Sequence, residues 1–278
     1  MTAPLVVKLG GSVGDAVDAA CADVATLWHE RRDIVLVHGG GSDADALAAD
    51  LGRPPRWLTS PGGVRSRYTD AAALDALTLA LRGRVAPRVV TALGRLGVPA
   101  ASVAGFDARA VVARRKDALK TVEDGRVRVV RDDHSGRIDA VDATLARTLL
   151  AARIVPVVSP PAVTRDGALV NVDADRLAAA LAGALGAPTL VILSDVPGLL
   201  THPGDPATLV ERVSSDDFDA ALALARGRMK LKVIAAREAL RGGVATVVVA
   251  DGTRPAPVRA ALARGGTTFT YGELVEDA

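Results

Sequence analysis

Leu5-Val6-Val7-Lys8-Leu9-Gly10-Gly11-Ser12 and Ile34-Val35-Leu36-Val37-His38-Gly39-Gly40-Gly41-Ser42 share one pattern, a short apolar run that stops at consecutive glycines. Each run reads as a buried strand. Behind the first, the apolar spacing from Val17 to Trp28 reads as a helix, and behind the second, Ala44 to Leu51 reads as a shorter one. Two units of strand, glycine loop and helix within the first 51 residues predict parallel strands whose loops gather at one sheet edge.

Composition agrees with that reading. The chain has 278 residues, 49% of them hydrophobic and only 3% aromatic, so its core is built from Val, Leu, Ile and Ala. That mixture suits helices packed on a parallel sheet and favours α/β over a β-sandwich. The net charge of +2 is too small to argue for nucleic acid or membrane binding. A single Cys21 excludes an internal disulfide framework and a multi-cysteine metal site, and the four His lack ligand spacing, so no protein-held metal is expected. Met1 to Lys8 carries no basic region followed by a long apolar run, and no stretch approaches about 18 apolar residues. The expectation is a cytoplasmic protein without an anchor.

Further along, Arg53-Pro54-Pro55 breaks the chain, and Ser60-Pro61-Gly62-Gly63 forms a loop before a helix capped near Thr69-Asp70 and running to about Leu81. Residues 85–97 read as a separate helix closed by Gly97, followed by a strand near Ala100 to Val103. Asp124-Gly125 marks a tight hairpin between Thr121-Val122-Glu123 and Arg126-Val127-Arg128, with Val122 and Val127 on one face and Arg126 and Arg128 on the other. Ile154 to Val158, Thr189 to Leu193 and Thr246 to Ala250 are further buried strands, and Asp175 to Leu185 is an Ala-rich helix. No internal repeat is visible. A soft boundary near residue 175 divides one continuous domain into lobes 1–175 and 176–278, and Leu274 to Ala278 are expected to fray.

A strand ending in Gly-Gly lets phosphate oxygens approach backbone N–H groups, because glycine has no Cβ in the way. The same pair also makes an ordinary tight turn. Lys8 shifts the balance: at the end of an apolar strand its ammonium must reach solvent or an anion. Neither glycine loop is followed by Lys-Ser/Thr, which excludes the Walker-type phosphate loop, and neither forms a G-x-G-x-x-G dinucleotide fingerprint. His38 is a formal candidate for a general base, yet a carboxylate nucleophile is ionised at pH 7 and needs none.

Val7-Lys8-Leu9-Gly10-Gly11, Val37-His38-Gly39-Gly40-Gly41, Asn171-Val172-Asp173-Ala174-Asp175, Ser194-Asp195-Val196-Pro197-Gly198-Leu199 and Gly227-Arg228-Met229-Lys230-Leu231-Lys232 occur in the order seen in N-acetylglutamate kinases and their relatives in the amino acid kinase family. The resemblance spans essentially the whole chain. It implies a three-layer αβα sandwich around a mainly parallel sheet, as in carbamate kinase, and a reaction in which ATP with Mg2+ phosphorylates a carboxylate. It also implies roles. Lys8 and Lys232 resemble the two lysines that neutralise the transferring phosphoryl group, and Asp175 resembles the carboxylate that holds them. Such fixed cations are the apparatus phosphoryl transfer requires. Gly10, Gly11, Ser194, Asp195, Gly227 and Met229 would serve ATP, although Ser-Asp-x-Pro-Gly also reads as a plain turn. Gly40 and Gly41 would hold the acceptor carboxylate, and Arg67 and Asn171 the α-carboxylate end. The family spacing Gly-x-Met-x-x-Lys selects Lys232 over Lys230. Arg228 stands where the motif usually has its second glycine.

Between Arg109 and Arg131 there are eight Lys or Arg (including Arg114, Arg115, Lys116, Lys120, Arg126 and Arg128) against three acids, an excess of about five positive charges in a chain of net +2. Such a ribbon is either solvated or steers in an acidic partner. Pro61-Gly62-Gly63, Ser66-Arg67-Tyr68-Thr69-Asp70, Arg114-Arg115-Lys116 and the hairpin are similar to the branch containing the aminoadipate kinases of lysine synthesis. In that branch the acceptor's amino group is joined to a small acidic amino-group carrier protein, LysW or its like. The resemblance thus implies a carrier-linked acceptor, aminoadipate or glutamate; one methylene, worth about 1 kcal/mol, is not legible in single residues. Arg65 either reads the carrier's tail or is solvated. Free N-acetylglutamate is the second reading, and a non-catalytic sensor of the same fold a third, although such a sensor would often have lost Lys8, Asp175 or Lys232. Nucleic acid is disfavoured because the basic segment has no aromatic residue to stack bases. The chain starts at its first strand, without the N-terminal helix of arginine-regulated hexamers, so a homodimer without arginine feedback is expected.

Overall fold

In the computed structural model, which describes residues 3–10, 17–63, 65–123 and 125–272, the opening units are β1 (Leu5–Leu9), α1 (Val17–His29), β2 (Ile34–His38) and α2 (Gly41–Asp50). The ribbon β3 (Trp57–Thr59) and β4 (Arg65–Arg67) precedes α3 (Ala71–Ala80), a π-helical turn (Leu81–Val85), α4 (Ala86–Arg95) and β5 (Ala100–Ala104). Next come β6 (Val111–Arg115), the hairpin β7 (Leu119–Glu123) and β8 (Arg126–Val130), β9 (Gly136–Val141), α5 (Thr144–Ala151) and β10 (Val155–Ser159). Two short strands, β11 (Ala162–Val163) and β12 (Leu169–Val170), lead to α6 (Ala174–Leu185) and β13 (Thr189–Ser194). The chain continues through β14 (Arg212–Val213), α7 (Phe218–Leu224), α8 (Met229–Arg241), β15 (Thr246–Asp251), α9 (Pro257–Leu262) and β16 (Thr267–Thr270).

Eight strands form the main sheet in the order β14-β16-β15-β13-β1-β2-β10-β5, parallel throughout except for β15 against β16. Side-chain alternation sorts the core into two layers. Leu5, Val7 and Leu9 face one way with Ile34 and Leu36, against Val24 of α1, Val89 of α4 and Val258 of α9. Val6, Val35 and Val37 face the other way, against Leu177 of α6, Ala221 of α7 and Val233 of α8. The result is the expected three-layer sandwich. Strand residues buried on both faces explain why these runs are almost wholly apolar. Lys8, next in alternation after Val6, therefore points toward α6 and α8.

The helices expected before and after residue 83 are one continuous helical run, Ala71 to Arg95, joined by the π turn. Pro87 supplies a reason, since it has no N–H to bond the carbonyl four residues back and the ladder must widen around it. Val122 pairs with Val127 in the hairpin as expected, with Gly125 at φ +73° at its tip. Gly11, Ser12, Asp124 and Leu274 to Ala278, which figured in the sequence reading, lie outside the described residues. Among the described residues no helix is long and apolar enough to cross a membrane.

Candidate active site

β1 lies between β2 and β13, the point where successive connections leave in opposite directions, and α/β sheets open their binding crevice at the carboxyl ends of such strands. A cleft of about 320 Å³ opens there, with Lys8, Gly40, Asp175, Ser194 and Lys232 among its walls. At its floor Asp175 Oδ1 is 2.6 Å from Lys8 Nζ and Oδ2 is 3.0 Å from Lys232 Nζ, all three side chains 7% exposed. Asp175 lies in the first turn of α6, where the helix dipole favours a carboxylate, and Asp173 caps that helix by accepting from Arg176 N at 3.0 Å. Burial pushes the Asp175 carboxyl up, but the two ammoniums outweigh it and hold the group well below the usual range. Lys232 shifts down through burial and then through the Lys8 charge. Asp173 shifts up, through burial and the charge of Asp175.

The opposite wall is the start of α2. No side chain caps this helix, so the positive end of its dipole opens on the cleft through Gly40 and Gly41. Close packing favours glycine most at 40, where a Cβ would sit 2.6 Å from Leu81 Cδ2, whereas one on Gly41 would only press on Arg67 Nη2 at 3.3 Å. Arg67 donates to Gly41 O at 2.9 Å and pairs with Asp45 at 2.7 Å, which fixes its guanidinium at the cleft edge. Asn171 lines the cleft, its backbone tied to His134 O and Gly136 N. Ser194 and Asp195, hydrogen-bonded to each other at 3.2 Å, stand at the end of β13, and Gly10 at the end of β1. Gly227 and Met229 do not line the cleft: Gly227 turns the chain at φ +52° and Met229 packs on the core.

The basic segment divides. Arg114, Lys120, Arg126 and Arg128 are exposed as expected. Arg115 is instead a strut, donating to Asp133 O at 2.8 Å and Arg131 O at 3.2 Å, and Lys116 turns into the cleft, where burial lowers its pKa. Lys116, Arg228 and Arg65 were named from the sequence but not placed in this cleft, and one cleft feature went unread, Trp57 with Arg65 stacked 4.6 Å from its ring centroid. That feature had a local signal, because Arg65 and Arg67 alternate on β4 and Arg67 pairs directly with Trp57 on β3.

The chain matches the amino acid kinase family over residues 3–251. It is 43% identical over 266 residues to a LysW-aminoadipate kinase of Deinococcus radiodurans, covering 96% of this chain and 91% of that one. It is 44% identical to the LysW-aminoadipate kinase of Thermus thermophilus, covering 95% and 98%. An acetylglutamate kinase of Myxococcus xanthus is 37% identical, covering 90% and 82%. Among solved structures, an N-acetylglutamate synthase of Neisseria gonorrhoeae with coenzyme A and N-acetyl-glutamate superposes with a TM-score of 0.78 at 26% identity, covering 98% of this chain and 60% of that one. By its ordered motifs, its sheet and this match over most of its length, the chain belongs to the amino acid kinase family.

Proposed function

We propose that the chain transfers the γ-phosphoryl group of ATP to the side-chain carboxylate of α-aminoadipate, or glutamate, whose amino group is linked to a small acidic carrier protein. The observation that supports this best is the Lys8–Asp175–Lys232 cluster facing an uncapped helix start across one cleft. Two mutually repelling anions must meet end to end, and this arrangement gives each a wall of fixed positive charge. The acceptor oxygen attacks the γ-phosphorus, the bond to the β,γ-bridging oxygen breaks with its electron pair leaving on ADP, and an acyl phosphate remains. No proton moves, so no base is required. Lys8 and Lys232 meet the charge that spreads over the equatorial oxygens, and Asp175 keeps the two ammoniums from driving each other apart.

In this reading Gly10, Ser194 and Asp195 serve the nucleotide side, Gly40 and Gly41 the acceptor carboxylate, and Arg67 and Asn171 the α-carboxylate end. Mg2+ would arrive with ATP and would neutralise part of the charge on its phosphates. The carrier docks on the exposed basic hairpin and its rim. Residues 1–175 form the acceptor and dimerisation lobe and 176–278 the ATP lobe of a cytoplasmic homodimer.

The relative from Myxococcus xanthus favours a second reading, free N-acetylglutamate as acceptor. Trapping acyl phosphate as hydroxamate separates the two. Product only from glutamate or aminoadipate attached to carrier supports the first; product from free N-acetylglutamate with none from carrier supports the second.

A further inference from the structure

Arg228 is the residue immediately before α8, and Lys232 lies four positions on, so the two share one face of the first turn. That face is the one turned to the cleft: Arg228, Leu231 and Lys232 line it and Lys230 does not. The Arg228 guanidinium crosses toward the other wall, where its Nη2 lies 4.0 Å from the position a Cβ on Gly41 would take, and Arg67 Nη2 lies 3.3 Å from the same point. Two guanidiniums therefore converge on the start of α2, one from each wall. Their partners differ. Arg67 is paired with Asp45, whereas the Arg228 side chain has no carboxylate partner among the described residues.

We propose that Arg228 is a further catalytic residue, its guanidinium donating hydrogen bonds to the oxygens shared between donor phosphate and acceptor carboxylate as the phosphoryl group crosses. The inference rests on the phosphoryl transfer proposed above. An arginine remains charged at every working pH and its planar fork can donate to two oxygens at once, which a point-charge lysine cannot reproduce. As the bond to ADP lengthens and the bond to the carboxylate forms, negative charge spreads over three oxygens between Lys232 and Gly41. Arg228 spans that gap. Arg228 stands where the resemblance leads to an expectation of glycine, and it puts a cation there. Arg228 is exposed and outside the packed core, so its removal leaves the fold's contacts in place.

Arg228→Gly, Arg228→Lys and Lys230→Ala, compared with wild type by ADP release on whichever acceptor the wild type uses, test this. Arg228→Gly is expected to lose at least about tenfold in kcat with KM for ATP within about threefold, the signature of an interaction made mainly in the transition state. Arg228→Lys recovers part of the loss, and Lys230→Ala matches wild type. Added guanidinium ion restores turnover to Arg228→Gly but not to Lys232→Ala, which separates a missing functional group from a damaged fold. Wild-type kcat in Arg228→Gly, a change confined to KM, or no rescue by guanidinium overturns the proposal alone. A wild-type chain inactive on every acceptor overturns the function reading, and this proposal with it.

Discussion

Lys232 carries its charge in a place that penalises charge. Burial lowers its pKa, the Lys8 ammonium lowers it further, and the Asp175 carboxylate only partly restores it. Asp175, held low by the same two ammoniums, stays ionised far into acid, so the alkaline side is where the cluster fails. The sign is fixed by linkage. A lysine whose folded pKa lies below its unfolded one binds fewer protons when folded, so through that window its contribution to stability rises with pH while the cleft loses a cation. The kcat profile should therefore lose its alkaline limb below the ~10.4 of an ordinary lysine. An ADP-release profile with its limb at or above that value would remove Lys232 as the titrating group. His38 adds no limb near neutrality: its Nδ1 donates to Gly39 O at 2.8 Å and burial takes its pKa down to about 4, leaving the ring neutral. Lys232→Ala should lose at least about a hundredfold in turnover, on the scale of one preorganised stabilising group, while remaining folded. Near-normal turnover would end its assignment as a catalytic lysine.

Among the elements, the π turn has the largest bearing on the site. It brings Leu81 and Val85 against Gly40, and with Ala44, Leu77 and Ala80 they form a small core of their own beneath the loop that carries Gly40 and Gly41. A Cβ at Gly40 would lie 2.6 Å from Leu81 Cδ2 and 2.8 Å from Val85 Cγ2, so Gly40→Ala must repack those buried side chains or shift the backbone on one side of the contact. We expect a loss of about 1–3 kcal/mol in stability, as for overpacking generally, with a raised KM for the acceptor. Chemical denaturation and acceptor titration check both, and a variant equal to wild type in each would mean that the loop does not depend on this contact. The same turn shows where sequence reading stops. Leu5–Leu9, Ile34–His38 and Thr189–Ser194 are legible because a short apolar run with a glycine or proline directly at one end admits few other conformations. The fusion of α3 with α4 was hidden because proline normally signals a break, and Thr267–Thr270 was hidden because four residues carry too little alternation. Lys8, Asp175 and Lys232 were nameable from ordered motifs. Trp57 was not, since it belongs to none of those motifs, and Lys116, legible as part of the basic ribbon, is brought to the cleft only by the folded chain.

Across the whole molecule, positive charge is concentrated rather than spread: the excess of about five between Arg109 and Arg131 leaves the remainder slightly acidic. Folding then sorts that excess into two populations. Lys116 and Arg115 turn inward, to the cleft and to backbone carbonyls, while the side chains of Arg114 and Arg128 stay 74% and 62% exposed. On the hairpin the side bearing Thr121 packs toward β3, where Thr59 N donates to Thr121 Oγ1, and Val127 and Val129 on the other side are 58% and 52% exposed. The apolar face of the ribbon carries Lys120, and Arg126 and Arg128 stand on its other face; a ribbon with contact area on one side and cations on both suits an acidic protein that is steered in by charge and held by contact. Reversing Arg114, Arg126 and Arg128 to Glu should raise KM for a carrier-linked acceptor at least about tenfold at low salt and flatten its dependence on ionic strength, with KM for ATP unchanged. Reversing Arg115 should instead lower the melting temperature, because its guanidinium ties β6 to the segment before β9. If the triple reversal left carrier kinetics and their salt dependence as in wild type, the ribbon would be a solvated surface, and the carrier would have to be recognised at the mouth of the cleft, through Arg65, Trp57 and Lys116.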